Sequence, residues 1–181
     1  MTVNNYLVWE PASKAAALFD TGTDASKAIA TAVELDLELG QLFLTHTHLD
    51  HIIDRAAVEA HNEDLRTYVN ALEPAERATR FQPGDCFTVG ALKISTRLTK
   101  GHSPGGITYV IEGLERPVAI AGDALFAQSM GGGMISYQDA LATNRSELFT
   151  LADHTVICPG HGPMTSVGEE KAHNPFYPEF K

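Results

Sequence analysis

Short apolar runs that end in glycine, proline or polar residues recur along the chain and indicate many β-strands. The first two runs, at residues 3–10 and 15–20, flank a polar turn that begins at Pro11 and predict an antiparallel hairpin. The same pattern predicts further strands later in the chain. These lie at residues 41–45, 64–69, 87–89, 91–98, 109–112, 118–121 and 155–158.

Apolar residues at helical spacing predict three helices between these strands. They cover residues 25–39, 52–60 and 137–151. Gly40 is placed to end the first helix, and residues 73–77 are expected to form one helical turn or a loop. The proline-containing tail at residues 164–181 is expected to lie on the surface.

The length of the chain and the order of its elements predict a single domain over residues 1–181. A chain of 181 residues, 44% of them hydrophobic, can bury a sizeable core. Strands in two batches with helices between them predict an α/β fold, in which two sheets pack together with helices outside.

The charge and cysteine content exclude several classes of function. A formal net charge of -10 with only 13 scattered basic residues argues against nucleic acid as a partner. The sequence contains no apolar stretch of membrane-spanning length and begins with no signal-like segment, so a cytoplasmic protein is expected. Cys86 and Cys158 are far apart and match no paired-thiolate spacing, which fits a reducing compartment.

A dense group of metal-binding residue types follows the strand predicted at residues 41–45. The sequence His-Thr-His-Leu-Asp-His occupies residues 46–51 and holds three imidazoles and one carboxylate. Three later loops, each beside glycines and each directly after a predicted strand, add one candidate ligand apiece. The seven candidates are His46, His48, Asp50, His51, His102, Asp123 and His161.

Imidazole and carboxylate ligands without thiolate suit zinc, iron or manganese. Seven ligands exceed what one tetrahedral ion can use, so two ions are predicted, and a carboxylate such as Asp123 could bridge them at roughly 3.5–4 Å. A shared hydroxide would then act as the nucleophile, because metal binding lowers the pKa of water to about 7.

The other histidines and Cys158 do not belong to the four ligand motifs. His61 and His154 are expected on the surface, and His173 is expected to pack within the tail rather than bind a metal. Cys158 is interpreted as a small buried hydrophobe. The glycine run at residues 131–133 is interpreted as a flexible rim loop, with a cradle for a polar substrate group as the alternative.

The four motifs, in this order and spacing, resemble the metallo-β-lactamase superfamily over nearly the whole chain. Within it they are similar to glyoxalase II, the hydroxyacylglutathione hydrolases, and their shorter bacterial relatives. The resemblance implies an αββα sandwich: two mixed β-sheets packed face to face, helices outside, and the metals at one edge.

The resemblance also implies a role for each ligand. One metal ion would be held by His46, His48 and His102, the other by Asp50, His51 and His161, and Asp123 would bridge them. Two Zn²⁺ ions per chain are expected, with iron or manganese as alternatives. Asp50 would also orient the hydroxide, which makes it the expected catalytic residue. Aspartate rather than cysteine at position 123 differs from the B1 β-lactamases and makes antibiotic hydrolysis a weaker expectation.

Three differences from the family pattern concern substrate binding. Ile53 and Asp54 stand where a pair of glycines is usual, so the pocket wall is expected to differ. Gly132 stands where the family often has arginine, which removes a guanidinium that could pair with a substrate. The sequence also ends soon after the His161 motif, without the helical domain that contacts glutathione in full-length glyoxalase II.

These patterns predict an enzyme that acts on a small-molecule substrate. The leading hypothesis is a dinuclear metal-dependent thioester hydrolase, and a lactonase or other hydrolase of the superfamily is a close variant of it. A mononuclear iron oxygenase like the persulfide dioxygenases is the main alternative, and a non-catalytic binding module ranks last. The sequence assigns no oligomeric state.

Overall fold

One mixed sheet is built from the first half of the chain. In the computed structural model, which describes residues 2–180, its strands are ordered β1-β2-β3-β4-β5. The first pair is antiparallel and each later pair is parallel. The strands are β1 (Tyr6–Trp9), β2 (Ala15–Phe19), β3 (Glu38–Phe43), β4 (Arg66–Asn70) and β5 (Thr79–Phe81).

The second half of the chain builds a second mixed sheet and a short hairpin. The sheet is ordered β13-β12-β9-β8-β7-β6, and only its β12–β9 pair is parallel. Its strands are β6 (Cys86–Val89), β7 (Leu92–Leu98), β8 (Ile107–Glu112), β9 (Val118–Gly122), β12 (Val156–Pro159) and β13 (Thr165–Ser166). The separate hairpin pairs β10 (Leu125–Phe126) with β11 (Ser129–Met130).

An aromatic core joins the two sheets. Phe19 and Phe43 of the first sheet stack with ring centroids 5.2 Å apart, and both rings lie 5.3 Å from Tyr109 of the second sheet. Tyr109 is fully buried, so its hydroxyl needs a partner, and it donates to the carbonyl oxygen of Leu44 at 2.7 Å. This contact fixes the end of β3, where the first ligand motif begins, against the second sheet.

Helices cover the outer face of each sheet. The first sheet packs against α1 (Ser26–Glu34) and α3 (Arg55–His61), and the second packs against α4 (Tyr137–Thr143) and α5 (Val167–His173). A four-residue helix, α2 (Leu49–Ile52), lies within the first ligand motif. The predicted αββα sandwich of two mixed sheets is confirmed.

The first two predicted helices have wrong boundaries. The helix expected at residues 25–39 ends at Glu34, because β3 begins at Glu38 and pairs with β2. Gly40 therefore lies inside a strand, where the register of β2 and β3 shifts, and does not end the helix. The helix expected at residues 52–60 is divided into α2 and α3.

The third helix and the tail also differ from expectation. The helix expected at residues 137–151 changes from α4 to a π-helical turn at Asn144–Leu148, where the Asn144 side chain is buried. Residues 164–180 were expected on the surface, but they form β13, α5 and a 3₁₀ turn. Val167 and Tyr177 of this tail are buried against the second sheet.

Candidate metal centre

Each ligand candidate follows the end of a strand. His46 comes three residues after β3, in the first sheet. His102, Asp123 and His161 follow β7, β9 and β12 of the second sheet. Because these strand ends meet at one edge of the sandwich, residues from both sheets converge there, and the structure brings all seven candidates into overlapping groups.

Three histidines form the first group. The Nδ1 atom of His48 lies 3.1 Å from Nε2 of His46 and 2.9 Å from Nε2 of His102. Ligand atoms at roughly 2.0–2.1 Å from a tetrahedral zinc ion would lie roughly 3.3 Å from one another. The spacing of these nitrogens therefore fits ligands of one ion.

Asp123 lies between this group and a second one. Its Oδ2 atom is 3.3 Å from Nε2 of His102 and 3.5 Å from Nε2 of His161, and its Oδ1 atom is 3.2 Å from Nε2 of His51. The second group consists of Asp50, His51 and His161, with Asp50 Oδ2 at 3.4 Å from Nε2 of His161. The two oxygens of one buried carboxylate thus face both groups.

Hydrogen bonds on the far side of the rings orient four of the histidines. Nδ1 of His51 donates to Asp20 at 2.9 Å, Nδ1 of His102 to the carbonyl oxygen of Gly132 at 2.9 Å, and Nδ1 of His161 to that of Thr2 at 2.9 Å. These assignments follow from the acceptors present. Each leaves the Nε2 lone pair facing the cluster, as metal-ligating histidines require.

His46 is oriented by a short relay. Its Nδ1 atom lies 3.1 Å from the Thr45 hydroxyl, which itself donates to Asp20 Oδ2 at 2.7 Å. The hydroxyl oxygen is thus left to accept the His46 proton, and Nε2 of His46 also presents a lone pair to the cluster. Lone pairs that face one another at about 3 Å repel unless a cation lies between them.

Two buried atoms at the centre lack hydrogen-bond partners. Nε2 of His51 and Oδ1 of Asp123 are both buried and lie 3.2 Å from each other, but neither makes a hydrogen bond of acceptable geometry within the described part of the chain. Buried polar atoms without partners are costly and indicate a missing ligand. Gly160 leaves the space open, because a Cβ atom there would lie 2.2 Å from Asp123 Oδ1 and 2.6 Å from His51 Cε1. The residues present therefore fit a metal site.

The electrostatics of the centre depend on how each histidine is surrounded. Burial opposes the charged form of His51, but the neighbouring carboxylates of Asp123 and Asp20 outweigh it and raise its pKa to about 10. Burial and the neighbouring imidazoles hold the pKa of His46 well below its usual value. The two carboxylates thus favour positive charge at the position of His51, whether a proton or a bound cation supplies it.

The sequence matches the family model described as the metallo-beta-lactamase superfamily over residues 1–161. The chain belongs to this superfamily. It is 31% identical to hydroxyacylglutathione hydrolase GloC of Haemophilus influenzae, with 96% of this chain and 92% of that protein covered. It is 28% identical to the mitochondrial persulfide dioxygenase ETHE1 of Bos taurus, with 94% of this chain and 69% of that protein covered.

A similar solved structure is named for a third activity. The BLEG-1 B3 metallo-beta-lactamase matches with a TM-score of 0.86 and 27% identity, and 98% of each chain is covered. These three superfamily members are named for three different reactions. Membership and the clustered ligands together imply a dinuclear metal site, but they leave the metal and the substrate open.

Two buried carboxylates beside the superfamily's ligand motifs were not among the predicted site residues. Asp20, the last residue of the strand predicted at residues 15–20, accepts hydrogen bonds from Thr45 and His51. Glu73, which was placed in a loop or helical turn, accepts from Thr47 through one oxygen and from Gly105 through the other. A lone acidic residue in a turn gives no local signal of such a role.

The remaining histidines lie outside the cluster. His61 and His154 are exposed, as expected. His173 was expected to pack within the tail, but its side chain is 58% exposed and lies 3.6 Å from Glu169 on the same helix.

A cavity of about 580 Å³ beside β2 and β3 includes His61 and none of the seven candidates. Cys158 is buried, and burial raises the pKa of its thiol to about 12.

The positions that differ from the family pattern have distinct surroundings. Ile53 is exposed, whereas Asp54 accepts a hydrogen bond from the backbone N–H of Ala25 at 2.7 Å and so stabilises the start of α1. Gly132 accepts from His102, and a Cβ atom at Gly131 would lie 1.7 Å from the carbonyl oxygen of Asp123. The glycine run is thus a rim loop packed against two ligands.

No helix within residues 2–180 has the length and apolar character that crossing a bilayer would require.

Proposed function

We propose that the chain is a dinuclear metal-dependent hydrolase that cleaves thioesters. In this proposal two zinc ions are held, one by the first group of histidines and the other by the second group, with Asp123 contributing to both. Iron and manganese accept the same imidazole and carboxylate ligands and are the alternatives. The first group is His46, His48 and His102, and the second is Asp50, His51 and His161.

The observation that carries this proposal is the pair of unpartnered buried atoms on His51 and Asp123. His51 belongs to the second group and Asp123 lies between the two groups. Four of the five histidine rings in these groups are already oriented by hydrogen bonds to residues that are not ligand candidates. A purely structural cluster would satisfy these atoms within the protein. Their orientation instead supports a centre that is completed by cations.

When bound, the two ions would lower the pKa of a water nucleophile and polarise the substrate carbonyl. Asp50 has the most accessible side chain among the ligand candidates that form ion-pair contacts, at 43% exposed, and lies beside His161. A carboxylate at this position can orient the attacking water and accept a proton from it. This supports the catalytic role expected for Asp50.

The preference for thioesters is supported by one relative. The name of the Haemophilus influenzae protein specifies hydrolysis of hydroxyacylglutathione, which is a thioester, and 96% of this chain aligns with it. The B3 metallo-beta-lactamase and the lactonase hypothesis keep β-lactams and lactones as alternative substrates of the same chemistry.

A mononuclear iron oxygenase is the second candidate function. The relative from Bos taurus is named a persulfide dioxygenase. His46, His51 and Asp123 offer a set of two histidines and one carboxylate, which is the ligand type of many non-haem iron oxygenases. The two functions differ in metal number and in their need for oxygen.

Elemental analysis followed by two assays tests the proposal. We expect about two metal ions per chain, and cleavage of thioesters that stops after chelation and returns with added zinc. Lactones and a β-lactam are assayed in parallel. Full thioesterase activity in metal-free protein would overturn the proposal. One iron per chain with oxygen uptake on glutathione persulfide, and no thioester cleavage, would select the dioxygenase.

A further inference from the structure

Half of the exposed large apolar side chains belong to segments in or next to the ligand loops. Twelve such side chains are exposed in the described part of the chain, and six of them belong to loops that carry a ligand or contact one. Exposed apolar side chains that concentrate in one set of loops, rather than being scattered singly over the surface, indicate a binding region. These six residues, here called the apolar rim, are Leu49, Ile53, Leu72, Met134, Ile135 and Met164.

Three residues of the apolar rim are close in sequence to ligands. Leu49 lies between the ligands His48 and Asp50 and is 72% exposed. Ile53 follows His51 by two residues, and Met164 follows the His161 motif. Leu49 is the first residue of α2, and its side chain faces solvent rather than the core.

The other three residues belong to segments that are hydrogen-bonded to His102 or to its loop. Ile135 donates its backbone N–H to the carbonyl oxygen of Gly101, and Met134 donates to that of Gly132, which also accepts from His102. Leu72 precedes Glu73, whose carboxylate binds the backbone N–H of Gly105 in the His102 loop. These hydrogen bonds therefore hold the backbone at or next to all three apolar residues against His102 or its loop.

The loops around the centre contain no lysine or arginine, and the guanidinium of Arg80, which reaches residues 70–73, donates to the carbonyl oxygens of Ala71, Glu73 and Ala75. Lysine and arginine are missing from residues 45–54, 70–73, 101–106, 122–136 and 159–164. Lys100 directly precedes the His102 loop, and its ammonium group pairs with Asp139 at 3.1 Å. The two carboxylates of a glutathione carrier would need cationic partners. The rim offers apolar contact instead.

We infer that the apolar rim binds the acyl chain of the substrate, so that the enzyme prefers thioesters of apolar aliphatic or aromatic acids on an uncharged thiol. This inference rests on the proposed hydrolase function. In the reaction the water oxygen bonds to the acyl carbon and the carbon–sulfur bond breaks. The sulfur leaves with the electron pair, and the two water protons pass to the thiolate and to solvent.

A series of thioesters of one neutral thiol, N-acetylcysteamine, tests the inference with the zinc-loaded protein. The acyl groups are acetyl, butanoyl, hexanoyl and octanoyl, with lactoyl as a polar member. Each added methylene that the rim covers should raise kcat/KM about twofold, mainly through KM, since partial burial gives part of the full transfer effect. A flat series or a preference for lactoyl would overturn it, and so would faster cleavage of hexanoylglutathione, assayed in parallel, than of the hexanoyl ester of N-acetylcysteamine.

Two variants locate the effect. Ile135→Ser should lower kcat/KM for the octanoyl ester at least threefold and leave the acetyl ester unchanged. Val33→Ser is the matched control, because Val33 on α1 is also 63% exposed but lies outside the rim. Equal effects of the two substitutions would contradict the assignment.

A binding measurement separates this inference from the proposed function. Octanoate binding to the zinc-loaded protein is measured by calorimetry, with the same two variants. Octanoate binding that Ile135→Ser weakens would support the rim even if no thioester were cleaved, in which case only the hydrolase proposal would fail. If all thioesters were cleaved without a chain-length preference and octanoate did not bind, the inference about the apolar rim would be wrong and the hydrolase proposal would stand.

Discussion

At the scale of single residues, Glu73 connects two of the loops that carry ligands. It is 2% exposed, and its two oxygens accept hydrogen bonds from Thr47 and Gly105. Thr47 lies between His46 and His48, so the position of the first ligand motif depends on a carboxylate outside it. Such outer contacts commonly decide metal affinity as strongly as the ligands do.

Replacing Glu73 by glutamine should loosen this connection. The amide nitrogen cannot accept a hydrogen bond, so one buried donor loses its partner and stability should fall by about 1–3 kcal/mol. Urea unfolding and metal content per chain measure the two effects. Glu76→Gln, at an exposed position of the same loop, is the control. Unchanged stability and full metal content in the Glu73 variant would show that the bridge has no positioning role.

Gly160 allows the approach of β12 to the metal centre. A methyl group there would overlap the Asp123 carboxylate and the His51 ring. Gly160→Ala should therefore displace these ligands and reduce the bound metal below two ions per chain. Gly40→Ala is the control, because the nearest atom to its added Cβ would be 4.0 Å away. If both variants bound the same amount of metal, the proposed close approach would be wrong.

The residue types and strand-end positions of the ligands were readable from the sequence, but their supporting contacts were not. Histidine pairs after a strand have a spacing that few structural roles require. Asp20 and Glu73, in contrast, are single acidic residues in turns, and turns commonly contain them. Their roles depend on residues up to 32 positions away, such as Gly105 for Glu73.

At the scale of elements, α5 holds the hairpin that follows the bridging Asp123. Glu170 accepts from the backbone N–H of Gln128 at 2.9 Å and from Asn174 at 2.7 Å. Asn174 also donates to the carbonyl oxygen of Ser129 at 3.0 Å. Both side chains are fully buried. The C-terminal segment thus anchors β10 and β11 beside the metal centre.

Asn174→Ala should weaken this anchor. The substitution removes two donated hydrogen bonds and leaves the carbonyl oxygen of Ser129 without this partner, at a cost of about 1–3 kcal/mol. Urea denaturation followed by circular dichroism measures the change in the free energy of unfolding. His173→Ala serves as the control, because His173 is next to Asn174 in the sequence but its side chain is exposed. Similar midpoints for both variants would contradict the role of Asn174.

The sequence located most strands but misjudged the ends of the helices. Leu39 fits either the apolar face of a helix or a strand, and its pairing with Ala16 of β2 decides for the strand. In the tail, the prolines indicated a surface segment, yet Tyr177 packs on Phe149 with ring centroids 4.6 Å apart. Contacts between distant elements decide these cases, and no local pattern encodes them.

At the scale of the whole molecule, the candidate ligands come from loops of both sheets. His46 follows a strand of the first sheet, whereas His102, Asp123 and His161 follow strands of the second. Bound metal would therefore connect the two layers of the sandwich at one edge. Any ligand that binds only the folded state stabilises it by mass action, so metal should affect the unfolding of both layers together.

Chelation should accordingly lower the melting temperature in a single transition. At free zinc about 100-fold above its dissociation constant, binding contributes about 2.7 kcal/mol, which corresponds to a shift of about 5–10 °C for a chain of this size. Scanning calorimetry with and without chelator measures the shift. Asp123→Ala should remove most of it, since this carboxylate faces both groups of ligands. His154→Ala, at an exposed position outside the cluster, should retain the full shift. A melting temperature that does not change with chelator would refute the link between the sheets. An Asp123 variant that keeps two ions and the full shift would refute the bridging role.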